Sequence, residues 1–441
     1  MVDPQKPTGE DEKIARHFGQ TLLTKLAMIL LRVIRNAILA RVLGPADRGL
    51  FSLISSLPEL IMTAGNAGLS NAAAYHAAKR TSPIRQLVGN TNALILLISV
   101  ILFCLSFWLV EQPWISKDYH DVIVDFRWAV ALAIPFMLLK VVNIQLLNVL
   151  QRIGSVNALS LLESLLPLVL FLVLWWVFEV EALIAAVSSW MIGLILVALL
   201  SIKELRQGVP LQFNSDLQKQ LVGFGGRGYF DTLFQKLLLR IDFLFVSAMI
   251  GSEALGYYAM ATAAAELLLT VPNSLSVPLL SFFLRRSAQD KNEVTPIVLR
   301  VLITTMILLA VVFALLGEIL IWVLFGKEFL PAYEPLLFLL PGVVFLSYCS
   351  LVRLDLLGNN KPGTISIISG IAVLTNVVFN LVLIPEYGVN GAAMAATLAY
   401  GFAAVGLSVV YSRLTGIKTR HTLLVSVADI KLTLNLLKRL R

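Results

Sequence analysis

The chain has 441 residues, of which 58% are hydrophobic and 14% charged, and its mean hydropathy is +0.84. A water-soluble chain carries roughly 25% charged and about 45–50% apolar residues, so the polar skin that a soluble protein of this length needs is missing and the solvent of this chain is lipid. That excludes a soluble enzyme, a secreted disulfide scaffold and a disordered tail protein; the net charge of +8 becomes a question of which membrane face the cations occupy, and nucleic-acid binding has no support.

Residues 1–16 are polar and mixed in charge and form a cytoplasmic N-terminal tail. The hydrophobic stretch after them is too long, and carries too many cations, for a cleaved signal. A membrane helix needs about 20 mostly apolar residues, and this ruler predicts twelve spans, roughly at 18–42, 50–77, 87–110, 122–149, 155–178, 182–202, 220–249, 254–284, 295–325, 335–357, 363–384 and 390–412. The runs are long and continuous where a strand barrel would need short alternating ones, so the class is an all-α integral membrane protein. Spans 1–6 make an N-lobe over 17–205, a cytoplasmic linker covers 206–218, and spans 7–12 make a C-lobe over 219–413. Beyond Arg413, Leu423, Val427, Ile430, Leu434 and Leu437 recur at helical spacing among Lys431, Lys438, Arg439 and Arg441. Residues 414–441 are therefore expected to lie as a basic amphipathic helix on the anionic inner leaflet.

With both termini in the cytoplasm, 21 of the loop and tail Lys and Arg residues fall on the cytoplasmic face, and only Arg41, Arg48, Lys117 and Lys327 on the other. This is the positive-inside asymmetry, and an odd number of spans would scramble it. Cys104 and Cys349 stand far apart in apolar runs, with no CxxC and no Cys/His cluster. Neither a metal site, a disulfide nor a cofactor is indicated.

The chain repeats itself. Gly44-Pro-Ala-Asp-Arg-Gly49-Leu-Phe51 after span 1 is echoed by Gly251-Ser-Glu-Ala-Leu-Gly256-Tyr-Tyr258 after span 7, at an offset of 207. Gly154 and Gly363, and the turns Phe178-Glu-Val180 and Tyr387-Gly-Val389, match at an offset of 209. Six spans is an even number, so the two units insert in parallel, as pseudo-symmetric halves around a central cavity. A repeat with a cavity reads as a transporter.

Charges inside spans are costly and mark functional pathways by default. Ten cations fall there: Lys25, Arg32, Arg35, Arg127, Lys140, Arg227, Lys236, Arg240, Arg300 and Arg353. Eight acids accompany them: Glu59, Asp125, Glu163, Asp231, Asp242, Glu266, Glu318 and Asp355. Lys25 and Arg32 share one helix face, with Arg35 three residues on. At the repeat offset Arg32 falls opposite Arg240 within a residue, and Arg35 falls on Asp242. Arg227 has a local partner in Asp231 four residues later, whereas Arg353 and Asp355 cannot face each other. Surplus guanidinium suits an anion, and a diphosphate above all. Lys25, Arg32, Arg35, Lys236 and Arg240 are the candidate substrate-binding residues; Asp242 and Glu59 are candidates for ion coupling. Pro58 with Gly65-Asn-Ala-Gly68 in span 2, and Pro272 with Asn273 and Ser274 in span 8, place breaks at matching positions of the halves. With Gly44, Gly49, Gly251 and Gly256 they are the candidate hinges.

Leu39-Ala-Arg-Val-Leu-Gly-Pro-Ala-Asp-Arg-Gly-Leu-Phe51, with the Gly68-Leu-Ser70 step, resembles the N-terminal signature of the polysaccharide (O-antigen type) flippases. Ile384-Pro-Glu-Tyr-Gly-Val-Asn-Gly-Ala-Ala393, with Ala395-Ala-Thr397, resembles the same family's signature before its twelfth helix. The family lies in the multidrug/oligosaccharidyl-lipid/polysaccharide exporter superfamily, and the resemblance runs from about residue 15 to 412. It implies a flippase of the bacterial inner membrane, both termini cytoplasmic. Such a protein moves a polyprenyl-diphosphate-linked oligosaccharide to the periplasmic leaflet by alternating access of two six-helix lobes. The resemblance also implies coupling to protons or sodium ions, contact with membrane lipids and with glycan polymerase machinery, and a cationic cavity that Arg32, Arg35 and Arg240 match. The two extra C-terminal spans of some members are not seen here. The lipid II flippase branch is a nearby relative that no residue set favours. A multidrug exporter of the same superfamily would carry an acidic or apolar cavity, against the ten cations. A membrane glycan polymerase or ligase needs a large outer loop, and the longest here covers only residues 111–121; His17, His76, His120 and His421 do not suit its chemistry.

Overall fold

The computed structural model describes residues 9–422, apart from 81, 116–117, 119, 206–210, 286–287 and 360; the side chains of 9–23, of 224–228 and of most of 277–293 also lie outside the description. The amphipathic tail expected beyond 422 and the side chain of Arg227 are therefore not among the described residues. Every element is helical: α1 (Gly9–Gly65), α2 (Leu69–Lys79), α3 (Ile84–Val110), α4 (His120–Asp125), α5 (Arg127–Val149), α6 (Ile153–Leu172), α7 (Ala182–Leu205), α8 (Ser215–Met249), α9 (Ser252–Leu268), α10 (Thr270–Arg285), α11 (Ala288–Phe325), α12 (Tyr333–Gly358) and α13 (Pro362–Thr415). No strand occurs among the described residues. Among the described residues seven helices, against the twelve spans expected from sequence, are long and apolar enough to cross a membrane, or eight if α9 and the start of α10, bent by 45° at Leu269, count as one broken span.

The long helices α1 and α13 are each two helices run together. Gly44 (φ 70°) breaks the first and Gly388 (φ 56°) the second. These left-handed backbones, costly for a residue with a Cβ, reappear at the repeat positions. Gly251 has φ 134°, and Glu179, matched to Gly388, has φ 54° despite its side chain. The two sequence halves thus share their chain reversals as well as their motifs.

The surface is inverted relative to a soluble protein. Leu97, Ile101, Leu308, Leu315, Ile367 and Leu374 are each more than half exposed, whereas Asn90, Asn143, Asp242, Asn376 and Asn380 are fully or almost fully buried. Only hydrocarbon tolerates that arrangement. Exposed Trp108, Trp114, Trp128, Trp176 and Trp322 all stand near helix ends that the charge pattern assigns to the far side of the membrane, where amphipathic rings settle at the headgroup level.

The chain forms two compact units, each discontinuous in sequence. Unit 1 comprises residues 1–43, 68–107 and 127–225; unit 2 comprises 44–67, 108–126 and 226–441. In unit 1, α7 packs on α5 and α6. The Asn143 amide donates to Ser201 Oγ at 2.9 Å, and Gly193 leaves the space that Pro167 fills; a Cβ there would sit 2.9 Å from its ring. At the ends of α6 and α7, Arg152 donates to the Glu204 carbonyl and Ser155 to its carboxylate.

In unit 2, α12 is the central helix, packed by α9, α10, α11 and α13. The two repeated glycine motifs meet inside this unit. A Cβ on Gly49 would stand 1.8 Å from the Ser252 carbonyl oxygen, and one on Gly256 would stand 2.0 Å from that of Pro45. Two helix starts cross there backbone to backbone, which no side chain permits.

Candidate functional site

The charged residues inside the spans fall into separate clusters, and the units differ in how those clusters are balanced.

Unit 1 gathers cations around one carboxylate. Lys140 on α5 and Glu163 on α6 each stand ten residues from the turn between their helices. At 1.5 Å per residue that is about 15 Å, half the thickness of a hydrocarbon core. The two meet at 2.6 Å, with the lysine side chain 12% exposed and the carboxylate 43% exposed. The first part of α1 brings Arg35 into the field of the same carboxylate, and Arg32 of the same helix repels it. The Nε of Arg35 is buried with no hydrogen-bond partner. Arg32 and Lys25 are exposed. Two cations, Arg35 and Lys140, thus bear on one acid, with Arg32 a third positive charge beside Arg35.

Unit 2 neutralises its cations. Lys236 on α8 meets Glu59 at 2.5 Å. One turn on, Arg240 holds Glu266 through two hydrogen bonds, at 2.6 and 3.3 Å, with its guanidinium 5.3 Å from the centre of the Phe243 ring. Glu59 also attracts Arg240, so the four charges form one alternating network. The two acids stand 207 positions apart, the offset of the glycine motifs. Deeper in the same unit Arg353 pairs with Asp231, whose carboxylate also accepts from Gln235 at 3.0 Å and from Ser369 at 3.1 Å. The partner of Arg353 is therefore Asp231, 122 positions away on another helix rather than a neighbour in sequence.

Asp242 is different. It is 1% exposed and its bonds are to neutral groups: Tyr258 Oη donates at 3.0 Å and the Asn380 amide at 2.6 Å. The same amide also bonds Asn376 Oδ1 at 2.9 Å. Asn376 Nδ2 and Asn380 Oδ1 are buried without partners. A carboxylate and two carboxamides in a dry pocket make a set of hard oxygen donors suited to a proton or a small cation. Among the described residues no three His, Cys, Asp or Glu converge as a metal site would require.

The candidate hinges take three forms. Between α1 and α2, Ala67 (φ 46°) and Gly68 (φ 75°) reverse the chain, and Tyr229 donates to the Ala64 carbonyl that the break leaves orphaned. Pro272 is buried in the first turn of α10, just past the 45° bend. At the helix starts after Gly44 and Gly251, carboxylates lie against the glycines: Glu328 against Gly44, and Asp118 against Gly251.

Sequence reasoning brought Arg32 and Arg35 forward and left Lys140 and Glu163 aside; their equal distance from the intervening turn was the signal that pairs them. Asn376 and Asn380 were missed as well, although two carboxamides four residues apart in an apolar span share a face.

Residues 14–283 match the family described as "Polysaccharide biosynthesis protein". Among solved structures the chain is similar to a lipid II flippase, MurJ, in an inward closed conformation, with a TM-score of 0.72 and 15% identity over 88% of this chain and 87% of that one. It is also similar to an inward-facing multidrug resistance MATE family transporter of the MOP superfamily, with a TM-score of 0.67 and 12% identity over 90% and 94%. A third similar structure is a MOP superfamily transporter from Pyrococcus furiosus whose binding pocket is described as reversed in polarity (TM-score 0.66, 11% identity over 90% and 95%). At these identities the likeness establishes the fold. No curated protein matches the sequence.

Proposed function

Because the chain belongs to the polysaccharide biosynthesis protein family, we propose that it is a flippase that carries a polyprenyl-diphosphate-linked oligosaccharide from the cytoplasmic to the periplasmic leaflet of a bacterial inner membrane, by alternating access. The observation that supports this reading is the gathering of Lys140 and Arg35 about the half-open Glu163 in unit 1, since a guanidinium inside a membrane is costly unless an anion visits it. Arg32 and Arg35 engage the diphosphate, since a guanidinium keeps its charge and presents two parallel donors to phosphate oxygens. Lys25, exposed on the same helix, draws the headgroup in. The sugar needs polar space but no fixed charge, and the polyprenyl chain stays in lipid.

In this reading unit 2 supplies coupling. Asp242, with Asn376 and Asn380, takes the proton or sodium ion. The Lys236–Glu59 and Arg240–Glu266 pairs then exchange partners as the helices move, rather than binding cargo in the state seen here. The glycine crossing at Gly49 and Gly256 and the breaks at Gly68 and Pro272 are the places where the spans pivot. Two six-span lobes, at 17–205 and 219–413, with both termini cytoplasmic, complete the proposal; membrane lipids and a glycan polymerase are its partners.

The test is deletion of the gene in the native host, followed by mass spectrometry of polyprenyl-diphosphate-linked glycans with their sidedness probed by an impermeant reagent. Accumulation of one complete repeat unit on the cytoplasmic leaflet is the expected result. An unchanged glycolipid pool with new sensitivity to toxic cations would instead make the chain a drug exporter and the arginines structural.

A further inference from the structure

Unit 1 holds a charge arrangement that cargo binding alone does not explain. Lys140 is nearly buried, midway along a membrane helix, and an ammonium there must be neutralised whether or not cargo is present. Glu163 does so at 2.6 Å. Yet Glu163 is not locked in: 43% of its side chain is open, no second hydrogen-bond donor holds it among the described residues, and it lies in the field of Arg35 as well. Asp231 in unit 2 shows what a structural carboxylate looks like in this protein, fastened by Arg353, Gln235 and Ser369 together.

We infer that Glu163 is an internal counter-anion that occupies the cationic cluster of Lys140, Arg35 and Arg32 when cargo is absent and is displaced by the incoming diphosphate. The inference rests on the diphosphate reading of this cluster. It assigns Glu163 a positioning role with two consequences. The carboxylate competes with the diphosphate and so weakens binding. It also returns to Lys140 as the cargo leaves, offsetting the cost of stranding buried cations, and so speeds release. Binding and turnover are thus expected to move in opposite directions when the carboxylate is removed, which loss of a merely structural ion pair would not produce.

The experiment uses the full chain in nanodiscs of neutral lipid with farnesyl diphosphate as probe and farnesyl monophosphate for comparison, alongside transport of lipid-linked glycan in proteoliposomes. Glu163→Gln is expected to bind the diphosphate roughly tenfold more tightly, the effect of removing one like charge at several ångströms in a partly wetted site, with a smaller gain for the monophosphate and a slower turnover. Lys140→Gln weakens binding, and the double variant Glu163→Gln/Lys140→Gln returns toward wild-type affinity. Should Glu163→Gln fold poorly, Glu163→Asp, which draws the carboxylate back by one methylene, gives a partial tightening. Wild-type protein that binds the diphosphate while neither Glu163 variant binds it more tightly overturns this inference and leaves the flippase reading standing. Wild-type protein that does not bind the diphosphate at all overturns both.

Discussion

The two units solve the same electrostatic problem in opposite ways. Both carry Arg and Lys along a long helix, Lys25, Arg32 and Arg35 on α1 in unit 1 and Lys236 and Arg240 on α8 in unit 2. Unit 2 meets Lys236, Arg240 and Arg353 with Glu59, Glu266 and Asp231, and also buries Asp242, which accepts from Tyr258 and Asn380 and is attracted by Arg240. Unit 1 sets a single half-open carboxylate among Lys140, Arg35 and Arg32. One unit thus gathers cations about a half-open carboxylate, while the other pairs its cations with acids and buries a further carboxylate among neutral donors.

Substitutions can break that contrast, beginning with the largest effect. Arg353→Ala strands Asp231 in unit 2 and is expected to destabilise the protein by about 3–5 kcal/mol, read as a lowered midpoint in a thermal unfolding assay; an unchanged midpoint would remove the structural role given to that pair. Gly49→Ala or Gly256→Ala drives a methyl into a carbonyl and costs about 1–3 kcal/mol or more. Gly363→Ala, with nothing within 4 Å of the added carbon, is the control that leaves stability intact. Arg35→Ala in unit 1 reverses the pattern, with stability nearly kept and transport lowered about ten- to a hundredfold, the loss of one charge-assisted contact of about 1.5–3 kcal/mol. Asp242→Asn sharpens the contrast further, since it is isosteric and keeps the Tyr258 and Asn380 neighbours. Diphosphate binding should persist while gradient-driven transport is lost, and equal transport with and without the gradient dependence of wild type would refute the coupling role. The smallest effect is expected of Asn143→Ala, which removes one buried hydrogen bond between α5 and α7 and costs about 1 kcal/mol in melting experiments, with transport unchanged.

Much of this organisation can be read from residues. The glycine motifs at offset 207 meet as a crossing, and the turns at offset 209 share a left-handed centre at Glu179 and Gly388. A chain reversal needs special backbone angles, and special angles leave glycine in the sequence, although Glu179 shows that they need not. The charge partners are less legible. Arg240 and Arg35 look alike in sequence, each a guanidinium on the first helix of a repeat. One is clasped by Glu266 and the other has a buried, unpaired Nε.

Composition settled that this is a membrane protein, because 58% apolar residues cannot be hidden by a chain of this length in water, and long unbroken apolar runs settled that it is all-helical. Long apolar runs, a local property, pointed to helices, although seven or eight of them rather than twelve meet the length and hydropathy of a span among the described residues; internal repetition marked the turns at Gly44, Glu179, Gly251 and Gly388. Which cations are neutralised was decided only by tertiary packing. Glu59 reaches Lys236 from 177 positions away, and Asp231 reaches Arg353 across 122. In a low-dielectric interior the sign and distance of such partners, not the identity of the arginine, determine whether it holds the fold together or waits for an anion.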